Sequence, residues 1–193
     1  MARKIEFDYN RAIGRATQVF WKQGYSNASL RDLTTAMGIG EGSFYNTLKS
    51  KKALYLECLK HYNNTVLRRR LDALQSGASA KEGVRAFFRA ILDELDDPKT
   101  PRICLFERSL WNDVLIEREL KRYILDGMAA FSNCFYKRLK SAKESGELPE
   151  IDPEVATQLI VTYLQGLYLV IRVLQDRAQI ERQIELLLSG LGL

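Results

Sequence analysis

The side chains with the clearest chemical capacity follow a short turn that contains two glycines, Gly38-Ile39-Gly40. Gly40 and Gly42 have no side chain, so the backbone at these positions can approach a ligand closely. Free backbone amides at the start of a helix bind phosphate groups. Asn46 can form a bidentate pair with adenine, and Thr47 can contact the methyl group of thymine. The segment therefore has the chemistry to bind double-stranded DNA.

The distribution of charge indicates a polyanionic partner at one end of the chain. Residues 1–60 contain ten Lys or Arg and five Asp or Glu, whereas the remaining residues contain 19 of each sign. The formal net charge of +5 therefore lies entirely in the first third of the 193-residue chain. A basic segment joined to a neutral body is typical of nucleic-acid-binding proteins. A merely basic surface is the alternative interpretation.

The sequence contains no signature of an enzyme or of a metal site. It has one histidine, His61, which excludes a site with several histidine ligands. It also contains no GxSxG, HExxH, GxGxxG or Walker pattern. We therefore predict no catalytic residue, no metal and no cofactor, and we interpret His61 as a packed or surface side chain.

Cysteine usage and hydropathy favour a cytoplasmic protein. The three cysteines are widely spaced and form no CxxC pair, which argues against a disulfide framework or a structural zinc site. The beginning of the sequence is charged and lacks the apolar segment of a secretory signal. The most apolar stretch, residues 159–174, has 16 residues and includes Gln165 and Arg172. It is short and polar for a membrane span, so we expect no membrane partner.

Helical periodicity dominates the sequence, and no segment shows the alternation of a strand. The pattern predicts an all-α fold of about nine helices. The expected ranges are 7–23, 29–37, 40–48, 50–74, 81–95, 102–115, 117–144, 153–175 and 178–188. We predict a three-helix DNA-binding domain over residues 1–50. A larger helical domain for dimerisation and ligand binding is expected over residues 51–193.

The second and third predicted helices position the DNA-reading side chains. Ser29 and Asp32 match a capping box at the start of the second helix, and Gly38 is suited to end it. An apolar set packs the two helices on the first one, which gives a helix-turn-helix whose second helix lies in the major groove. This set comprises Ile13, Ala16, Phe20, Leu30, Leu33, Ala36, Ile39, Phe44 and Leu48.

The same segment resembles the N-terminal signature of the TetR family of repressors. The matching positions are Gly24-Tyr25, Ser29, Gly38-Ile39, Tyr45, Ser50-Lys51 and Leu54. The resemblance implies that Tyr45 and Lys51 grip phosphates and that Ser29 directs backbone amides to the DNA backbone. The predicted DNA-binding residues are Ser29, Gly40, Gly42, Ser43, Tyr45, Asn46, Thr47 and Lys51.

Four departures from the family pattern affect the expected operator sequence rather than the class of protein. Gly40 lacks the capping side chain that is common at this position. Glu41 weakens attraction to phosphate but can accept a hydrogen bond from cytosine N4. Leu48 replaces the usual Phe, whereas Lys52 replaces a common acid and is expected to add positive charge toward DNA.

The last two predicted helices are candidates for an interface between two copies of the chain. Residues 159–174 are apolar at 12 of 16 positions, so this helix must be buried on several sides. In the TetR family the last two helices form a four-helix dimer interface, and we expect the same here. An intramolecular helix pair is the alternative. The predicted interface residues are Leu159, Leu167, Val170, Ile180, Ile184 and Leu187.

The middle helices are rich in aromatic residues, and the resemblance implies that they hold a cavity for an apolar or aromatic effector. Plain core packing is the alternative. The predicted lining residues are Phe87, Ile91, Phe106, Met128 and Phe131. We expect a homodimeric repressor that leaves a palindromic operator when the effector binds. Two other functions stay open: a redox or electrophile sensor that uses Cys104, and an architectural DNA-binding protein without a ligand.

Overall fold

The computed structural model describes residues 8–98, 100–110, 117–174 and 176–193, and within these ranges it is helical with no strand. The α-helices are α1 (Tyr9–Gln23), α2 (Leu30–Met37), α3 (Glu41–Leu48), α4 (Lys51–Tyr62), α5 (Arg68–Ser76), α6 (Ala80–Leu95), α7 (Leu105–Leu110), α8 (Arg118–Glu144), α9 (Pro153–Val173) and α10 (Arg177–Gly190). A π-helical turn, Asn63–Leu67, joins α4 to α5 without a break. Counted as one helix, this run brings the described residues to nine helices, which confirms the prediction.

The predicted helix ends that fall on described residues agree with the structure to within two residues, except in α7. That helix begins three residues later than predicted. The amide of Ile103 donates to the carbonyl of Pro101 at 2.9 Å, and this bend delays the start of the helix. The predicted helix start at Phe7 and the predicted ends at Leu115 and Gln175 lie outside the described residues.

The chain forms two compact units, each with a core of its own. The first unit contains the described residues of Met1–Thr65 and Leu105–Ile124. The second contains those of Val66–Cys104 and Leu125–Leu193. The predicted division after residue 50 concerns function and stays a prediction.

In the first unit, α1 provides the surface on which α2, α4 and α7 pack. Its N-terminus is capped by Asp8, whose side chain accepts a hydrogen bond from the Arg11 amide at 3.0 Å. The hydroxyls of Tyr55 and Ser109 form a buried hydrogen bond of 2.6 Å, so these two polar groups of the core satisfy each other. The buried apolar residues of α1 recur at helical spacing and are Ala12, Ile13, Ala16, Phe20 and Trp21.

In the second unit, α6 packs on α5 and on α10. Gly83 allows the close approach of α5, because a Cβ at this position would lie 2.2 Å from the carbonyl oxygen of Leu74. Any larger residue at this position would push the two helices apart. The core around α6 includes Val84, Phe87, Phe88, Ile91, Phe135, Leu139, Ile160, Leu164, Ile180 and Leu188.

Helix α9 has 21 residues. It is longer than the 16-residue apolar stretch, residues 159–174, that is short for a membrane span. By length and composition alone it is able to cross a membrane, with a mean hydropathy of 1.3 over 18 residues, and it is the one such helix in the described ranges. One side of the helix is buried within the second unit, which is the property of a core helix. The residues on this side are Ala156, Thr157, Ile160, Leu164, Leu167, Tyr168 and Ile171.

Candidate DNA-binding site

The start of α2 is fixed by a capping box, as the sequence predicts. The hydroxyl of Ser29 accepts a hydrogen bond from the Asp32 amide at 3.1 Å, and the Asp32 carboxylate accepts one from the Ser29 amide at 3.1 Å. Hydrogen bonds from Ser29 lower the pKa of Asp32, because they favour the ionised carboxylate. Ser29 is exposed, so the N-terminus of α2 is accessible to an anion.

The turn between α2 and α3 depends on its two glycines. Gly38 has φ of +72°, a left-handed conformation that glycine adopts without strain, and the next amide, of Ile39, donates to the carbonyl of Thr34 at 3.1 Å. Gly40 precedes α3 and provides no side-chain cap, as expected. A Cβ built on Gly40 or on Gly42 would meet no described atom within 4 Å. The first turn of α3 is therefore an open backbone surface.

Helix α3 has one buried face and one exposed face. Phe44 and Leu48, four residues apart, are buried in the core of the first unit. The Tyr45 side chain is 53% exposed, and its neighbours on the outer side are exposed as well. The predicted groove contacts require this exposure and themselves stay a prediction. The exposed residues of α3 are Glu41, Gly42, Ser43, Tyr45, Asn46 and Thr47.

Lys49 links α3 to α4 in a strained conformation. Its φ is 67° and its ψ is −41°, and the Ser50 amide donates across it to the Leu48 carbonyl at 2.7 Å. This is a γ-turn of positive φ, which costs a non-glycine residue about 1–3 kcal/mol. The turn allows the Ser50 hydroxyl to cap α4 at once, by accepting a hydrogen bond from the Ala53 amide at 3.1 Å. Lys49 is the one non-glycine residue of positive φ in the described ranges.

Lys51, a predicted phosphate ligand, is held by groups of the first unit. Its ammonium lies 3.4 Å from the carbonyl oxygen of Ser26 and 4.9 Å from the centroid of the Tyr25 ring, in a cation–π contact. Partial burial lowers the pKa of Lys51, because desolvation disfavours the charged amine. The ammonium has three N–H donors, so Lys51 can bind a phosphate while it keeps its contact with Ser26.

Lys52, which is expected from the sequence to add positive charge toward DNA, lies beside two acids of the first unit. Its ammonium lies 3.7 Å from a carboxylate oxygen of Glu117 and 3.8 Å from one of Glu119, so two acids offset its charge. Both ion pairs join exposed side chains and are therefore weak, so the expected role of Lys52 stays a prediction. The sequence could not show these ion pairs, because the two acids lie more than sixty positions further along the chain.

The six predicted dimer-interface residues do not share one surface. Leu167, Ile180 and Ile184 are buried in the core of their own unit, which leaves them little surface to offer a second copy. Leu159 is exposed, whereas Val170 and Leu187 are half-buried. Hydrophobicity alone does not distinguish the buried residues from the more exposed ones, because α9 has apolar residues on both its buried and its exposed face.

Four other apolar side chains of the last two helices are strongly exposed, and the sequence-based interpretation missed them. They are Val155, Leu169 and Val173 of α9 and Leu186 of α10. With Leu159, Thr162 and Gly166, the α9 residues recur at alternating spacings of four and three along one exposed side. This heptad-like spacing is the pattern of a coiled-coil seam and was present in the sequence as a signal.

Four of the five predicted effector-lining residues lie in the second unit. Phe87 and Ile91 are buried on successive turns of α6, whereas Met128 and Phe131 are half-buried on successive turns of α8. The ring centroids of Phe87 and Phe131 are 5.7 Å apart, so the structure brings the two helices together at this point. The role of the four residues in ligand binding stays a prediction.

Phe106, the fifth predicted lining residue, lies in the first unit. Its ring centroid is 6.2 Å from that of Tyr62 and 6.1 Å from that of Tyr123. His61 lies in the same unit, and its Nε2 atom would be 3.3 Å from a Cβ on Gly14. The imidazole therefore packs on α1, in agreement with its interpretation as a packed side chain.

Tyr163 of α9 is a polar residue that the sequence did not single out. Its hydroxyl is buried without a hydrogen-bond partner among the described residues, and its ring centroid lies 6.1 Å from that of Phe88. Burial raises the pKa of Tyr163. A buried hydroxyl without a partner is costly, and a bound polar group would relieve that cost. The sequence alone does not show that the hydroxyl of a tyrosine in an apolar helix is buried without a partner.

The three cysteines differ in accessibility. Cys58 is fully buried, and burial raises its pKa to about 12, so its thiol is unreactive. Cys104 and Cys134 are half-buried and pack against the core of the second unit. The described residues contain no cluster of three or more His, Cys, Asp or Glu side chains suited to a metal ion.

Two family models match the chain. That of the bacterial regulatory proteins of the tetR family covers residues 13–58, which include the whole helix-turn-helix. That of the tetracyclin repressor-like C-terminal domain covers residues 80–187, which is more than half of the chain. The first match lies within the first compact unit, and the second includes residues of both units.

Individual proteins match over nearly the full length. The HTH-type transcriptional regulator YezE of Bacillus subtilis is 29% identical over 99% of this chain and 100% of its own. The repressor DhaR of a Mycobacterium species is 25% identical, over 93% of this chain and 89% of its own. A cysteine mutant of the regulator CifR, solved with a 26-bp double-strand operator DNA, has a TM-score of 0.88 at 29% identity and covers 97% of this chain and 98% of its own. The chain therefore belongs to the tetR family of bacterial regulatory proteins and is a DNA-binding transcriptional regulator.

Proposed function

We propose that the chain is a homodimeric repressor that binds a palindromic operator and leaves it when a small apolar or aromatic molecule binds the second unit. The exposed face of α3 is the observation that carries the DNA-binding part. It presents the amide of Asn46 and the hydroxyls of Ser43, Tyr45 and Thr47 to solvent. These are groups that hydrogen-bond with base edges and phosphates.

Within this proposal the DNA-binding residues have distinct roles. Asn46 and Thr47 read bases, while Gly40 and Gly42 permit close approach of the α3 backbone. Phosphate contacts come from Ser29, Ser43, Tyr45 and Lys51. The similarity to DhaR, a repressor, and to CifR bound to operator DNA supports both the partner and the repressing output.

Dimerisation is supported by the exposed apolar seam of α9, formed by Val155, Leu159, Thr162, Gly166, Leu169 and Val173. Leu169 and Val173 are 65% and 73% exposed, so burying them against a second copy removes apolar surface from water. Gly166 at the middle of the seam allows two helices to approach closely. Two subunits place two copies of α3 on DNA, which is the requirement of a palindromic operator.

Effector binding is supported by the aromatic cluster between α6 and α8. The rings of Phe87, Phe131 and Phe135 lie within 5.7 Å of one another. Aromatic side chains of this kind suit contact with an apolar or aromatic molecule. The Tyr163 hydroxyl, which has no hydrogen-bond partner among the described residues, suits one polar group on such a molecule. Binding that favours a form of the dimer with a different spacing of the two α3 helices would release the operator. The chain would act in the cytoplasm, where DNA is accessible.

The experiment that tests this function recovers DNA fragments from sheared genomic DNA with the purified chain and sequences them. We expect a few fragments that share an inverted repeat, because two copies of α3 read two half-sites. A double variant, Asn46→Ala with Thr47→Ala, should lose this enrichment, whereas Asn64→Ala, an exposed asparagine outside α3, should keep it. Equal recovery of unrelated fragments by all three proteins would show an architectural protein instead.

A further inference from the structure

Three lysines occupy the corner between α3 and α4, and their surroundings differ. The ammonium of Lys51 is engaged by Ser26 and the Tyr25 ring. The ammonium of Lys52 lies between two carboxylates of the same unit. Lys49 is exposed, and its ammonium forms no ion pair or hydrogen bond with any residue in the described ranges. Of the three, Lys49 has the charge that is free to bind another molecule.

The backbone at Lys49 does not require a lysine. The γ-turn at this position, with φ of 67°, disfavours every residue that has a Cβ, and glycine would form it without strain. A strained residue that the local backbone disfavours points to a function of its side chain. The side chain has no packing role either, because it is exposed.

Lys49 also lies next to the exposed side of α3. It directly follows the last residue of the helix and comes four positions after the exposed Tyr45. Its amide still donates to the carbonyl of Tyr45 at 3.2 Å, so its backbone is tied to the last turn of α3. A helix lying in the major groove brings its flanking residues beside the DNA backbone.

We propose that Lys49 binds a DNA phosphate and that the strained γ-turn fixes the direction of its side chain. The inference rests on the proposed DNA-binding function and adds a phosphate ligand to it. Lys49 has no protein partner among the described residues to give up when it binds, whereas the ammonium of Lys51 already contacts a carbonyl oxygen and an aromatic ring.

The test measures binding of a fluorescent 30-bp duplex of random sequence over a range of NaCl concentrations, with the full chain. Lys49→Gly should bind about five-fold more weakly at 0.15 M salt, and the slope of log affinity against log salt should fall by about 0.9 for each chain bound. The same variant should raise the melting temperature by about 2–4 °C, since glycine relieves the strain. Opposite changes in affinity and in stability are the signature of the proposal.

Three further variants act as controls. Lys49→Arg should keep both the affinity and the salt slope, because it retains the charge. Lys49→Asn keeps a side chain that tolerates positive φ, and it should reduce the salt slope as much as Lys49→Gly does. Lys52→Gln removes a charge that two acids already offset, and it should leave the salt slope unchanged.

Two results would overturn the proposal. One is a salt slope for Lys49→Gly and Lys49→Asn equal to that of the wild type. The other is a melting temperature that falls in Lys49→Gly, which would assign the lysine a structural role. If the wild-type chain itself does not bind the duplex, the proposed function fails first, and the proposal for Lys49 fails with it.

Discussion

The two units of the chain differ in what they expose: the first exposes polar groups on α3, and the second exposes apolar side chains on α9. In the first unit, α3 buries Phe44 and Leu48 and exposes its amide and hydroxyl groups. In the second unit, a buried arginine, Arg70, forms hydrogen bonds inside the protein, while α9 exposes leucine and valine side chains. The first surface is suited to a polar, charged partner and the second to an apolar one. In the proposed function, the first surface binds DNA and the second binds another copy of the chain.

The buried charge of the second unit has well-defined partners. Arg70 is 3% exposed and donates to the carboxylate of Glu94 at 2.6 Å and to the hydroxyl of Tyr168 at 2.6 Å. The other oxygen of Glu94 accepts from Arg69 at 2.7 Å. This network joins α5, α6 and α9. Loss of Arg70 leaves the nearly buried Glu94 carboxylate with the exposed Arg69 as its remaining ion-pair partner.

The largest effect is expected for Arg70→Ala, which removes the buried partner of Glu94 and the donor to Tyr168 and leaves only the exposed Arg69 beside the Glu94 carboxylate. The free energy of unfolding should fall by about 3–5 kcal/mol, measured by urea denaturation. Arg68→Ala is the matched control, because its ion pair with Asp72 is exposed and should contribute less than about 0.5 kcal/mol. Similar losses in both variants would show that burial does not distinguish the two arginines.

The second prediction concerns the apolar surface. Leu169→Asp places a charge in the α9 seam, so sedimentation should show monomers at micromolar concentration. Affinity for the operator should fall by about a hundredfold, because a single α3 binds without the help of a second. Leu125→Asp changes an exposed leucine of α8 and should leave the dimer intact. Dimers in both variants would exclude the α9 seam as the interface.

The third prediction concerns the polar surface. Asn46→Ala should weaken operator binding by about 1–3 kcal/mol and should relax the preference for one base pair in each half-site. The measurement compares wild type and variant on operators changed one base pair at a time. A uniform loss on every operator would assign Asn46 to phosphate binding instead of base recognition.

The smallest effect is expected within the second unit, at the unpaired hydroxyl. Tyr163→Phe should raise the free energy of unfolding by about 1 kcal/mol in the absence of ligand, because a buried hydroxyl without a partner is destabilising. Tyr168→Phe is the contrasting variant and should lower stability, since that hydroxyl accepts from Arg70. A loss of stability in both variants would mean that the Tyr163 hydroxyl has a partner such as a bound water.

The helix-turn-helix could be predicted from the sequence because local signals specify it. Ser29 and Asp32 form a capping box within four residues, and Gly38 adopts its left-handed conformation at the helix end. The strained turn at Lys49 was missed, because lysine gives no sequence signal of positive φ. The ion pairs of Lys52 were missed because their acids are distant along the chain.

The α9 surface shows the other limit of the sequence. Leu167 and Leu169 are both leucines of one apolar helix, yet Leu167 is buried and Leu169 is 65% exposed. Which of them faces the core depends on where α6 and α8 pack, and hydrophobicity carries no information on that. The heptad-like spacing of the exposed residues was available, but the apolar residues between them obscured it.

The central claim is that the polar surface and the apolar surface act together, so that two chains bind one operator. Native mass spectrometry of the chain with a duplex that carries the selected inverted repeat tests it most directly. The account predicts complexes with two chains per duplex, or a multiple of two, and their loss in Leu169→Asp. Stable complexes with one chain per duplex in the wild type would contradict it.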